Sequence, residues 1–114
     1  MAWEIEFYET ARGGKPVEEF IRDLPTNPRT KIYAVLDLLR EFGIGVRAPH
    51  VKKLVGTQLW ELRTSGGVAT RILYVTKNGR TFLLLHGFVK KIQKTPEREL
   101  RVALKRLAEY ELRN

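Results

Sequence analysis

The residues of this chain that could perform chemistry are mainly arginines and lysines in its second half. Arg63 ends one strand-like segment, Arg71 lies in the middle of the next, and a third is followed by Lys90, Lys91 and Lys94. A guanidinium presents a planar fork of N–H donors that fits a phosphate, and a lysine supplies a compact positive charge. Together these side chains could bind a polyanion and stabilise negative charge that builds on phosphoryl oxygens.

The position of Arg71 is the most informative. Alternation along a strand places it on one face with Ala69, Leu73 and Val75, which are apolar. An arginine in such a row is unfavourable unless it is paired or used. Two interpretations stay open: a salt bridge to a helix glutamate such as Glu99, or a clamp for a phosphate.

The net charge of +8 is unevenly distributed along the chain. Residues 1–45 contain six Lys/Arg and eight Asp/Glu, whereas residues 46–114 contain fifteen and five. Such asymmetry favours binding to phosphate backbones, because each cation near a phosphate releases condensed counterions. Solubility alone is the other explanation.

Composition excludes several classes of chemistry. The chain has no cysteine, so disulfides, thiolate zinc sites and a cysteine nucleophile are ruled out. His50, His86, Asp23 and Asp37 are too sparse to suggest a metal cluster, a paired-carboxylate site or a serine-type triad. We therefore expect no metal and no other cofactor. A signal-like start and an apolar run near the roughly 20 residues of a membrane span are both missing, which predicts a cytoplasmic protein without membrane contact.

The elements that position these residues follow from the hydrophobic pattern. Alternation over Trp3–Phe7 predicts a strand. Apolar spacing then predicts two helices, one over 16–24 and a second with Asn27 as its N-cap and Gly43 at its end. From Gly43 to Gly56 no period persists, which predicts a surface loop carrying Lys52 and Lys53.

Three more strands and a helix are predicted in the basic half. The strands are Leu59–Arg63, Val68–Val75 and Thr81–Val89, and their short connections are typical of antiparallel hairpins. Thr95 is the expected N-cap of the last helix. The fold class is therefore α+β: residues 1–114 form a single domain with an antiparallel four-stranded sheet, two N-terminal helices and a C-terminal helix, in the order β-α-α-β-β-β-α.

Strings within these elements together resemble a known family. They are Glu61-Leu62-Arg63, Arg71-Ile72-Leu73-Tyr74, Leu84-Leu85-His86-Gly87-Phe88-Val89-Lys90-Lys91 and Gln93-Lys94-Thr95-Pro96. They resemble the RelE/ParE superfamily of toxins from type II toxin-antitoxin pairs, most closely the phage-related HigB-like branch. The resemblance covers the last three strands and the final helix in motif detail and the preceding helices in order and length.

The resemblance implies a sheet like that of microbial ribonucleases and an endoribonuclease activity. Such a toxin cleaves mRNA in the ribosomal A site without a metal and so inhibits translation. The ribose 2′-hydroxyl attacks the adjacent phosphorus, so the protein must orient the backbone, move protons and neutralise charge. The implied partners are mRNA, the ribosome and a cognate antitoxin, a small helix-turn-helix DNA-binding protein that forms a hetero-oligomer with the toxin.

The resemblance also suggests roles for individual cations. The family's mid-strand arginine falls on Arg71 and its basic pair after the last strand on Lys90 and Lys91, which are the expected catalytic residues. Arg63, Lys94, Lys52 and Lys53 are then candidates for binding the RNA backbone.

The general base is the main departure from the pattern. RelE itself carries lysines along the strand that here contains Glu61. Glu61 could be the base, or Lys91 could serve if its cationic neighbours lower its pKa. Equally, Glu61 could pair with Arg71 or Arg63. Relatives use histidines near the end of this strand, so His86 could be catalytic or contact RNA, although its apolar segment also suits a core residue.

Two other functions remain open at this point. One is a ParE-like protein that inhibits DNA gyrase, and the other is a nucleic-acid-binding module without catalysis. The cluster of cations favours the nuclease. If this positive surface is masked at rest, a protein partner should present acidic or helical segments to it, and their complex should weaken with salt.

Overall fold

One mixed sheet of five strands, in the order β1-β5-β4-β3-β2, organises the protein. A computed structural model describes residues 2–114. The strands β3, β4 and β5 form the predicted antiparallel meander, and β2 pairs antiparallel with β3, whereas β1 pairs parallel with β5. The strands are β1 (Glu4–Phe7), β2 (Val51–Lys53), β3 (Trp60–Thr64), β4 (Thr70–Lys77) and β5 (Thr81–Val89).

The predicted four-stranded antiparallel sheet is therefore wrong in two respects. Short hairpins fix the direction only of consecutive strands, and β1 is separated from its partner β5 by most of the chain. The second error concerns the predicted loop over 43–56, which contains β2. Three residues are too few to establish a period of two, so Lys52 and Lys53 lie on an edge strand that the pattern could not reveal.

Three α-helices cover the sheet, α1 (Pro16–Arg22) and α2 (Thr26–Phe42) on one face and α3 (Glu97–Arg113) on the other. Gly43 ends α2 as predicted, with φ of +58°, and begins a short 3-10 turn over Gly43–Gly45. None of the helices in residues 2–114 is long and apolar enough to cross a membrane.

Both predicted N-caps are wrong. Asn27 lies inside α2, which starts one residue earlier, and Thr95 precedes Pro96, the residue that flanks α3. Pro25 directly precedes α2, and Pro96 directly precedes α3. The hydroxyl of Thr95 instead donates a hydrogen bond to Glu61, 34 positions away in the sequence.

The central strands are buried on both faces, as the apolar run in β5 predicts. Leu62 and Ile72 pack under α1 and α2, whereas Leu73 and Leu83 pack under α3. A β-bulge interrupts the pairing of β4 with β5, because Leu73 is opposite His86 while the next residue, Tyr74, is opposite Leu84.

The bulge changes which side chains of β5 face α3. Leu85 is the extra residue, and both Leu85 and Phe88 belong to the core beneath α3. Gly87 faces the opposite side, where the ring of Phe20 lies directly against it. His86 therefore joins its neighbour Leu85 on the α3 face, which simple alternation would not allow.

Candidate functional site

A buried carboxylate with two arginines lies at one end of the sheet, beneath the start of α3. Glu61 is only 3% exposed. Its Oε1 is 3.6 Å from Nε of Arg63 and 3.6 Å from Nε of Arg71, and its Oε2 accepts a 2.6 Å hydrogen bond from the hydroxyl of Thr95. We call these four residues the Glu61 cluster.

Strand register brings the cluster together. Arg63 on β3 is directly opposite Arg71 on β4, and Glu61 is two residues before Arg63 on the same face. Opposed arginines repel each other, and the carboxylate between them compensates for this repulsion. The four residues carry a net charge of +1, so the cluster can still attract a phosphate.

Arg71 is held by the backbone as well as by Glu61. Its Nη1 donates to the carbonyl of Thr64 at 3.0 Å and to that of Thr70 at 2.7 Å. Burial, and secondly the nearby charge of Arg63, lower the pKa of Arg71, while Glu61 raises it. A guanidinium nevertheless stays protonated at neutral pH. Of the two interpretations of Arg71, the salt bridge is present, but to Glu61 and not to Glu99.

One edge of the Arg71 guanidinium still reaches solvent. Among residues 2–114, every fully buried side-chain nitrogen or oxygen has a hydrogen-bond partner. Nη2 of Arg71 has no such partner within the same residues, so it cannot be fully buried. Arg63 is more accessible, with about a third of its side chain exposed. The cluster therefore presents N–H donors mainly of Arg63 to an incoming anion, because the Arg71 side chain is only 7% exposed.

The predicted lysines lie around this end of the sheet. Phe88 is opposite Arg71 in the register, and two residues further the amide of Lys90 donates to the carbonyl of Ala69 at 2.8 Å. Lys91 and Lys94 are exposed in the connection to α3, the connection that also carries Thr95.

The edge strand adds one more cation near the cluster. Lys52 is directly opposite Glu61 in the pairing of β2 with β3, and it is exposed. The neighbouring ammonium of Lys53 instead donates to the carbonyl of Thr57. Lys52 is thus placed beside the cluster, whereas Lys53 has a local structural contact.

Sequence reasoning missed Thr95 of the cluster and two threonines beside it. The hydroxyls of Thr64 and Thr70 are 2.5 Å apart and buried, next to the carbonyls that hold Arg71. Thr95 bonds directly to Glu61. The only sequence signal for Thr95 was its place before a proline, which indicated a helix cap instead.

His86 lies in a separate polar contact between β5 and α3. Its Nε2 is 2.6 Å from Oε1 of Glu99, and its Nδ1 is 3.4 Å from Nη1 of Arg106. The ring also stacks on Phe88, with centroids 5.8 Å apart. This arrangement anchors the first half of α3 to the sheet and leaves His86 largely enclosed.

Burial lowers the pKa of His86 below its ordinary value of 6.5, Glu99 raises it through the hydrogen bond, and the charge of Arg106 lowers it. With a lowered pKa the ring is neutral at pH 7, so the contact with Glu99 is a hydrogen bond and not an ion pair. Nε2–H then donates to Glu99, and Nδ1 accepts from Arg106.

The lowered pKa of His86 predicts a loss of stability in mild acid. The unfolded chain binds a proton at His86 more readily than the folded one, so stability should fall as pH drops below 6.5 towards the folded-state pKa. Replacing His86 with glutamine should flatten this part of the profile. Denaturant titrations of the two proteins at a series of pH values between about 7.5 and 5 measure how the free energy of unfolding of each depends on pH. Parallel profiles for the two proteins would contradict the prediction.

No group of three or more His, Cys, Asp or Glu side chains within residues 2–114 is arranged to hold a metal ion.

Fold and site define a basic α+β domain, with a mixed five-stranded sheet between helices and an arginine–carboxylate cluster at one end of that sheet. Residues 19–108 match the model of a family described as Phage derived protein Gp49-like (DUF891). The chain belongs to this family, which is a toxin-like family associated with toxin-antitoxin systems. No curated protein matches the chain significantly.

Proposed function

We propose that this protein is the toxin of a type II toxin-antitoxin pair and acts as a ribosome-dependent mRNA endonuclease of the RelE/HigB type. The observation that carries the proposal is the Glu61 cluster, a carboxylate flanked by two arginines. The cluster lies at the end of the sheet from which the lysines of the 90–94 connection emerge. Proton acceptor and phosphate ligands are thus within one small region.

In this reaction the 2′-oxygen bonds to the phosphorus while the bond from the phosphorus to the 5′-oxygen of the next nucleotide breaks. One proton must therefore leave the hydroxyl, one must reach the leaving oxygen from water, and negative charge grows on the phosphate oxygens meanwhile. Glu61 is the proposed proton acceptor. Its Oε2 already holds one hydroxyl, that of Thr95, at 2.6 Å. A ribose hydroxyl could replace it at a similar distance when the connection over 91–95 moves, and residues 91–94 of that connection are exposed.

The cations then have different roles. Arg63, which is partly exposed, is the proposed ligand of the scissile phosphate. Arg71 mainly positions Glu61 and adds positive charge behind it, because its Nη1 is bound to two backbone carbonyls. Lys90 and Lys91 are proposed to stabilise the charge that develops, and Lys94 and Lys52 to bind flanking phosphates. Lys53 and His86 have internal contacts and are weaker candidates for binding RNA.

A nucleic-acid-binding module without catalysis is the second candidate. The observation that favours it is the completeness of the Glu61 cluster, in which carboxylate and arginines already satisfy one another. In that case the cluster is structural, and only the exposed lysines contact RNA. The gyrase-inhibitor alternative has less support, since binding to a protein needs no converging phosphate ligands.

The nature of the attacking group provides the sharpest test of the nuclease. In a purified translation system, mapping of mRNA 5′ ends should locate a cut in the ribosomal A site. An mRNA with a single 2′-deoxynucleotide on the 5′ side of that cut should resist cleavage, because the nucleophile is missing. The matched control carries the deoxynucleotide three positions upstream and should be cut normally. Equal cleavage of both substrates would rule out the proposed mechanism.

A further inference from the structure

A small cavity of about 120 Å³ lies beside the 3-10 turn that follows α2. We call it the Tyr74 cavity. It is on the α2 face of the sheet, because Tyr74 and Phe82, which line it, belong to the core beneath α1 and α2. Trp60 also lines it, and Glu61, the next residue of β3, points to the other face. The cavity and the Glu61 cluster are therefore on opposite faces of the sheet.

The walls of the Tyr74 cavity are apolar and partly aromatic. The rings of Tyr74 and Phe82 meet edge to face, with centroids 5.6 Å apart. Among the lining residues only Ile44 and Thr76 are exposed, so these two side chains form the mouth. None of the described residues that line the cavity is charged. A charged molecule would lose its hydration there without a compensating partner, so a neutral occupant is favoured.

The cavity contains one hydrogen-bonding group that the protein itself leaves unsatisfied. Tyr74 is 2% exposed, and burial raises the pKa of its hydroxyl, which is therefore protonated at neutral pH. This hydroxyl has no hydrogen-bond partner within residues 2–114, where every fully buried polar side-chain atom has one. It must therefore border open space. A buried tyrosine hydroxyl normally has a partner, so one is needed from an occupant of the cavity.

The size of the cavity suits one aromatic ring. An apolar protein cavity of about 150 Å³ binds benzene, and this one has a similar volume. Aromatic walls favour an aromatic ring through edge-to-face contacts. A leucine or phenylalanine side chain of a protein partner would fill the same space but would cover the Tyr74 hydroxyl without pairing it, which is unfavourable.

We propose that the Tyr74 cavity binds a neutral, single-ring aromatic molecule with a hydroxyl group, of which phenol is the simplest. The ring packs against Trp60 and Phe82, and its oxygen forms a hydrogen bond with the hydroxyl of Tyr74. This site is separate from the proposed nuclease, because a ligand on the α2 face does not touch Glu61.

The experiment titrates the full ¹⁵N-labelled chain with phenol and with toluene, which has a ring of the same size but no hydroxyl. Phenol should shift the amides of Val46 and Thr76 with a Kd of about 1 mM or tighter. Tyr74→Phe should weaken phenol binding about fivefold through the lost hydrogen bond and should not weaken toluene binding. Comparing the two ligands removes the difference in their hydration. Tyr33→Phe is the matched control, because Tyr33 is 44% exposed on α2, and it should change neither affinity.

Two further measurements locate the site. Val46→Phe places a ring in the cavity and should weaken phenol binding more than about tenfold. If thermal unfolding shows that this variant does not fold, Thr76→Trp narrows the mouth from an exposed position and should weaken binding in the same direction. Benzoate, which is charged, should bind at least about tenfold more weakly than phenol.

The inference is overturned if phenol does not shift these amides, since the hydroxyl is then merely hydrated. It is also overturned if benzoate binds as well as phenol, if filling or narrowing the cavity leaves binding unchanged, or if Tyr74→Phe alters the affinities for phenol and toluene by the same factor. No mRNA is present in these titrations, so their failure would leave the nuclease proposal standing, and loss of the nuclease proposal would leave this site unaffected.

Discussion

Replacing Glu61 with alanine is expected to destabilise the protein by about 3 kcal/mol, because it leaves the largely buried Arg71 without a compensating charge. The 3% exposure of Glu61 means that water cannot replace the lost carboxylate easily. Glu61→Gln should be less harmful, since an amide oxygen can still accept the hydrogen bond from Thr95. Equilibrium unfolding in urea gives the free energies of unfolding of both variants.

Glu97 is the matched control for this comparison. It is also a glutamate near an arginine, but its side chain is 82% exposed, and its contact with Arg101 is 3.6 Å long. Glu97→Ala should change the free energy of unfolding by less than about 0.5 kcal/mol. A similarly small effect at Glu61 would mean that the cluster does not hold the end of the sheet together.

The second large effect concerns catalysis by the arginines. Arg63→Ala should reduce kcat/KM for mRNA cleavage on the order of 100-fold, as for the loss of one donor to a developing oxyanion, whereas RNA affinity should fall only a few-fold. Arg71→Lys should have a comparable effect on cleavage, since an ammonium cannot keep the two carbonyl contacts and the orientation of Glu61 together. Single-turnover cleavage and filter binding measure the two quantities separately.

Arg101→Ala serves as the control, because this arginine is 70% exposed on α3. It should change cleavage and affinity little. If Arg63→Ala reduced cleavage and affinity by the same factor, the cluster would act only in binding, and the non-catalytic module would become the better description. Thermal unfolding of each variant shows whether a loss of cleavage reflects a loss of structure.

Unfolding and cleavage measurements on Glu61→Gln together separate the two possible roles of Glu61. As a general base, Glu61 should be needed for cleavage even where the fold survives, so Glu61→Gln should be folded and nearly inactive. As a purely structural ion pair, Glu61→Gln should lose activity only in proportion to its loss of folded protein.

The sequence by itself determined which residues could do chemistry and most of the secondary structure. Alternation and helical spacing depend on neighbours within one segment, so β5 and the apolar face of α3 followed from local pattern. The absence of cysteine and the concentration of cations after residue 45 are properties of composition and need no fold. The ion pair of Glu61 with Arg71 or Arg63 was also foreseeable as one of two alternatives.

Only the tertiary structure decided how these residues meet. The parallel pairing of β1 with β5, the bulge that turns His86 towards Glu99, and the hydrogen bond from Thr95 to Glu61 all join residues from different elements. A local period contains no information about such partners. The deciding factor is burial: once the sheet closes under α3, Glu61 and Arg71 lose water, and their charges must be satisfied by whichever groups the register brings within reach.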